Sequence, residues 1–118
     1  MPHLTLEYSR NLSTEITAQM LRALNQALVD TGHFVEEDIK TRAIAFDCVA
    51  IGTALQPRAF LAARLSLLSG RSPQARKHIA QALLGALEAA IPAGDSALQT
   101  TVELVEIDRD SYAKSCRP

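Results

Sequence analysis

The residue of this chain best suited to chemistry is a proline in second position, Pro2. Removal of Met1 leaves it as a secondary amine able to take up and return a proton, whereas an internal proline is an amide nitrogen with no basicity and no hydrogen to donate. At the mouth of an apolar pocket, among cationic neighbours, such an amine has its charged form disfavoured by desolvation and by like-charge repulsion. It then becomes a usable base near neutrality. The chemistry requires the processed chain, because Met1, while present, ties up the nitrogen. Taken alone, the position has a plainer reading: a small residue opening a first strand, where proline is tolerated.

Other chemistry-bearing types are sparse and scattered. Cys48 falls in an apolar strand candidate and Cys116 in the tail, so the two suggest neither a disulfide framework nor a CxxC site. His3, His33 and His78 lack the close spacing of a zinc site, and no metal is assigned. There is no Gly-rich phosphate loop, dinucleotide fingerprint or GxSxG elbow; Ser69-Gly70-Arg71-Ser72 is too short to cradle a phosphate. Hydrolase and nucleotide-binding readings therefore start weak.

The 118 residues suffice for one domain with a moderate core, and 47% hydrophobic with 21% charged residues describes an ordinary globule. A formal charge of -1, the absence of a basic run and only five aromatics argue against nucleic acid as a partner. No charged leader precedes an apolar stretch, and no apolar segment approaches the roughly 20 residues of a membrane helix. The expectation is a cytoplasmic protein with no membrane partner.

Leu4, Leu6 and Tyr8 alternate with His3, Thr5 and Glu7, the period of a strand with one buried face. Ser13 or Thr14 can cap a helix whose Ile16, Met20, Leu21, Leu24, Ala27 and Leu28 recur at helical spacing until Gly32 stops it. A second strand is expected from Ile39 to Ile51, with Lys40, Arg42, Ile44, Phe46 and Cys48 on one side, followed by a loop over 52–57. Phe60 to Leu68 reads as a third strand, with Leu61, Ala63, Leu65 and Leu67 together. Ser72-Pro73 then gives an N-cap and a proline at the first helical position. Ala75, Ile79, Ala82, Leu83, Ala86, Leu87 and Ala90 make an apolar stripe ended by Pro92 and Gly94, and Leu98 to Ile107 supplies the last strand.

Strand, helix, strand thus occurs twice, in halves of about 1–58 and 59–118 of a single domain. Leu4-Thr5-Leu6 lines up with Leu65-Ser66-Leu67, so that Arg10 falls opposite Arg71, as in an internal duplication. Helical crossovers favour parallel pairing within each half, giving an α+β fold: one four-stranded mixed sheet with both helices on one face. The other face keeps apolar side chains that a monomer of this size hides poorly, which predicts an oligomer.

Met1-Pro2-His3 before a strand, Ile39-Lys40-Thr41-Arg42 at the second, Phe60-Leu61 at the third, Ser69-Gly70-Arg71-Ser72 before the second helix and Val102-Glu103 in the last strand resemble the 5-carboxymethyl-2-hydroxymuconate isomerase family. The likeness runs in order along nearly the whole chain. It implies the tautomerase-like fold, a homotrimer with sheets around a central axis, and sites near subunit contacts. It further implies a proton shift, without cofactor, in an unsaturated keto acid from homoprotocatechuate breakdown, with Pro2 as the catalytic acid and base.

A small anionic substrate of that kind needs counter-charges. Guanidinium forks bind carboxylates bidentately, and Arg42 and Arg71 are the substrate-binding candidates. The bland alternatives are a solvated strand-edge charge for Arg42 and, for Arg71, a cation set against a helix dipole. Lys40 ranks behind the arginines and Lys77 behind it, since solvated lysines are commoner than ligating ones. Glu7, Glu103 and Glu106 read as surface carboxylates, and His3, alternating away from Pro2, as structural.

Ala62-Ala63 stands where relatives suggest a histidine or a bulkier residue, and the tail after Ile107 is short. Both bear on pocket size and substrate choice. Two other readings stay open: a promiscuous tautomerase of phenylpyruvate-like enols, and a non-enzymatic trimeric ligand-binding module.

Overall fold

Alternation in the first strand and the leucine run of the third build the centre of the molecule. A computed structural model describes residues 1–118, with β1 (His3–Ser9), α1 (Ala18–Asp30), β2 (Lys40–Phe46), β3 (Arg58–Leu68), α2 (Pro73–Ala90) and β4 (Ala97–Ile107), plus three short 3-10 turns. The strands form one sheet in the order β2-β1-β3-β4. Pairing is parallel between β1 and β2 and between β3 and β4, and antiparallel between β1 and β3. The central pair sets Leu4 against Leu65 and Leu6 against Ala63.

Side chains at alternate positions of β1 and β3 point to the helices. Leu4, Leu6, Leu61, Leu65 and Leu67 are buried together with Met20, Leu24 and Leu28 of α1 and Ile79, Leu83 and Leu87 of α2 in one core. Each fully buried leucine contributes about 1.5–3 kcal/mol relative to exposure. The expected α+β class, mixed sheet and one-sided helices are what the chain adopts. The other sheet face is left open, with Ile44, Phe46 and Val105 exposed.

The larger differences from expectation lie at three boundaries. The first helix is capped by Thr17, whose hydroxyl accepts from the Met20 N–H at 3.2 Å, and not by Ser13 or Thr14. The chain first spends a 3-10 turn, Arg10–Leu12, which buries Leu12 in the core, and the Glu15 and Ile16 N–H groups bond back to the Leu12 carbonyl. The second strand stops at Phe46, well short of Ile51, because its only partner, β1, ends at the matching Ser9. Cys48 is therefore exposed beyond the strand, not part of its alternation. β3 begins at Arg58, two residues before the expected Phe60.

Local signals elsewhere held. Ser72 accepts from the Ala75 N–H at 3.1 Å ahead of Pro73, a cap that contributes about 1 kcal/mol. Gly32 follows α1 at φ +79°, the left-handed region that closes a helix without a Cβ penalty.

Candidate active site

The sheet topology gathers the start of β1, the start of β2, the end of β3 and the end of β4 at one end of the molecule. Every sequence-predicted site residue lies there. The Pro2 ring is buried at the head of β1, and its carbonyl accepts from the Lys40 N–H at 3.1 Å. His3 alternates to the open face, as its spacing implied, and stays partly exposed.

Around the chain start the charges are mostly positive. Arg42 is exposed on the open face, in register with Thr5, and its Nη1 lies 3.2 Å from His3 Nδ1. Burial first, then Arg42, the terminal amine and Lys40, lower the proton affinity of the His3 imidazole. A neutral ring with Nδ1 as acceptor suits that contact. Lys40 donates from Nζ to the Asp38 carbonyl at 2.7 Å. Burial also lowers the proton affinity of the terminal amine, now on Met1; Lys40 and Lys114 add to this and Asp38 opposes it. These are the two effects that depress an amine: desolvation and like charge.

Arg71 follows β3 at the same end. Its Nη1 donates to the Leu68 carbonyl at 3.2 Å and its Nη2 to the His33 carbonyl at 3.1 Å, while the guanidinium lies 4.9 Å from the centre of the Phe34 ring. It thereby ties the turn before β2 to the turn before α2, and three of a guanidinium's five N–H donors stay free. Burial, then Arg109, lower its proton affinity, though an arginine keeps its charge. His33 and His78 approach to 6.1 Å between ring centres; His3 is not with them.

Two features had no sequence signal. Lys114 of the tail reaches Asp38 at 2.6 Å, closing a recess of about 610 Å³ lined by His3, Lys40, Tyr112, Lys114 and Arg117 among others. Arg109 donates from Nε to the Ser69 carbonyl at 2.5 Å, beside Gly70 and Arg71. Both are contacts between segments far apart in sequence, which local periodicity does not encode. A smaller hollow of about 230 Å³ on the open face holds Thr5, Glu7, Arg64 and Glu103, but there Arg64 is already neutralised by Glu103 at 2.7 Å.

The Asp38 to Lys114 contact carries a pH dependence. The Lys114 hydrogen bond, foremost, holds the Asp38 carboxyl below its usual range, and the same bond raises the proton affinity of Lys114. A carboxylate with depressed folded-state affinity contributes stability above its unfolded value, about pH 4, and loses it as pH falls through the folded value. Acidification below about pH 4 should therefore release the tail from Asp38 before the core unfolds. Hydrogen exchange of the tail amides against pH checks this, and Lys114→Met should abolish the transition.

A crystal structure of a 5-carboxymethyl-2-hydroxymuconate isomerase from Deinococcus radiodurans R1 is similar to the chain at 29% identity and a TM-score of 0.89, covering 98% of this chain and 90% of that one. A 5-carboxymethyl-2-hydroxymuconate delta-isomerase structure matches at 19% identity and a TM-score of 0.84, over 99% and 89% of the two chains. The fold extends to an asymmetric trimer of a fused 4-OT, at 21% identity and a TM-score of 0.70, over 93% and 91%. No curated protein matches. No helix is long and apolar enough to cross a membrane. The family model for 5-carboxymethyl-2-hydroxymuconate isomerase spans residues 2–116, and the chain belongs to that isomerase family.

Proposed function

We propose that the chain is a cofactor-independent isomerase that moves a proton within 5-carboxymethyl-2-hydroxymuconate, or a similar unsaturated 2-hydroxy or keto polycarboxylate, in aromatic catabolism. The observation that carries this reading is the buried Pro2 ring at the cationic end of the sheet, in a family match that begins at that residue. Once Met1 is removed, the nitrogen starts from a desolvated position beside Lys40, which favours its neutral, basic form.

In this reading the Pro2 nitrogen accepts the enol O–H proton, the double bond shifts, and the same nitrogen delivers a proton to carbon. Atoms and electrons balance within the substrate, so no oxidant or metal enters the equation. Arg42 and Arg71 hold carboxylates and stabilise the dienolate, with Lys40 adding charge at the chain start.

We take the working unit to be a cytoplasmic homotrimer of single-domain chains, each with halves 1–58 and 59–118. Support comes from the open sheet face, where Ile44 is 53% exposed, and from the fully exposed Leu55 in the loop after β2. Apolar groups so placed are covered at lower cost by another copy than by water.

The test is an ultraviolet ketonisation assay on processed protein with enols carrying one and several carboxylates. Higher kcat/KM for the polycarboxylate supports the assignment. Equal or better turnover of a phenylpyruvate-like enol replaces it with a promiscuous tautomerase, and no ketonisation of either points to the ligand-binding module.

A further inference from the structure

We propose that Arg109 is a second guanidinium of the substrate site, joining Arg71 to grip one carboxylate of the substrate. The inference rests on the reading of the site as that of a polycarboxylate isomerase and adds a residue to it. Four ion pairs form in the chain, Arg10 with Asp47, Arg64 with Glu103, Arg76 with Glu106 and Lys114 with Asp38. Arg71 and Arg109 take part in none of them.

Both guanidiniums are instead hung on main-chain carbonyls, each with one at or just past the end of β3. Arg109 uses the Ser69 carbonyl at 2.5 Å, and Arg71 those of Leu68 at 3.2 Å and His33 at 3.1 Å. Gly70 stands between them at φ +119°, and a Cβ there would meet Arg109 Nε at 3.4 Å. The Arg109 head group thus lies alongside Gly70, one residue before Arg71, and it is the positive φ of the turn that calls for glycine there.

Two like charges in one place repel each other, and burial of Arg71 adds to the cost. No carboxylate pairs with either guanidinium: the first turn of α2 has no acidic residue, and Asp108 and Asp110, which flank Arg109 in sequence, form no ion pair with it. A planar carboxylate facing the free N–H groups of both forks would relieve the repulsion and make charge-assisted bonds to each.

The location fits the chemistry. His3 pairs with Ser66 in antiparallel register, and one further step of that register leads from Pro2 to Leu67. From there to Arg71 is at most about 14 Å of chain. A substrate with several carboxylates is long enough to hold its reacting carbon near Pro2 while one end rests on Arg71 and Arg109.

The experiment titrates processed wild-type protein, Arg109→Met, Arg109→Lys and the charge control Arg22→Met with tricarballylate by calorimetry, and measures KM and kcat for a tricarboxylate enol. Arg22 is exposed on α1 and makes none of the ion pairs. Loss of one charge-assisted contact predicts about tenfold weaker tricarballylate binding and a KM raised by a similar factor in Arg109→Met, with kcat within about twofold and a smaller loss in Arg109→Lys. Unaltered affinity in Arg109→Met, an equal loss in Arg22→Met, or a loss confined to kcat overturns the proposal. Calorimetry reads binding alone, so a protein that grips tricarballylate through Arg109 yet ketonises nothing refutes the isomerase reading and leaves the grip standing.

Discussion

Pro2→Ala, in protein whose Met1 has been removed, should lower kcat about 10²- to 10⁴-fold, the range a positioned acid and base contributes. The alanine keeps an amine at the same point of the chain, but the rigid ring that holds the nitrogen at the head of β1 is lost. An extra residue ahead of Pro2 should be more severe, because it turns the nitrogen into an amide. The pH profile supplies a second test. In the chain that carries Met1, burial, then Lys40 and Lys114, depress the terminal amine, with Asp38 and Cys116 opposing, and the Pro2 amine inherits that surrounding. The base form then persists below the ordinary α-amino range of roughly 7.7–8.0, and kcat/KM should reach its plateau below that range. Asp38→Asn removes the larger of the two opposing influences and should move the rising limb to lower pH. Thermal unfolding separates a fold effect, since the Pro2 ring is part of the buried interior. Equal turnover by wild-type protein and the N-terminally blocked form would sink the assignment of Pro2 as the base, and mass spectrometry of the active chain would show which form was assayed.

Strands and helices were legible in the sequence wherever burial was periodic. Leu4, Leu6 and Tyr8 and the run Leu61, Ala63, Leu65, Leu67 report one buried face each, and the structure buries those residues. Ser72-Pro73 marks its helix start by capping chemistry that needs no tertiary context. Misreadings arose where pairing decided the outcome. Cys48 to Ile51 continue an apolar pattern, yet β1 turns away after Ser9 and leaves them no strand to pair with, while Arg10 of that turn captures Asp47. Thr17 loses to Ser13 and Thr14 on paper because nothing local says that Leu12 must first reach the core. In the site, Pro2, Lys40, Arg42 and Arg71 carried motif-level signals, whereas Arg109 and the Asp38 to Lys114 clasp are products of chain crossing.

Arg71→Ala should lower kcat/KM for a polycarboxylate enol about 10²- to 10³-fold, the usual cost of deleting one preorganised donor group from a site where negative charge develops. In the proposed reading the residue has two roles that the experiment must separate. Its guanidinium bonds the Leu68 and His33 carbonyls and lies over Phe34, so truncation also frees two acceptors and one aromatic face. That structural share is about 1–3 kcal/mol and will appear in the unfolding free energy. The substrate share appears only in kinetics, and added guanidinium ion should restore part of the turnover without restoring the unfolding midpoint. Arg71→Lys keeps the charge but not the fork, and one compact ammonium lacks the two separated nitrogens that reach the Leu68 and His33 carbonyls while leaving a planar edge for a carboxylate, so it should recover less than about a tenth of wild-type kcat/KM. A variant that loses stability as predicted yet turns over the polycarboxylate at the wild-type rate would reduce Arg71 to a tie between the turns at His33 and Leu68. The carboxylate would then have to be held by Arg42 and Lys40 at the open face, a site that the neutral His3 ring, resting on Arg42, already partly occupies.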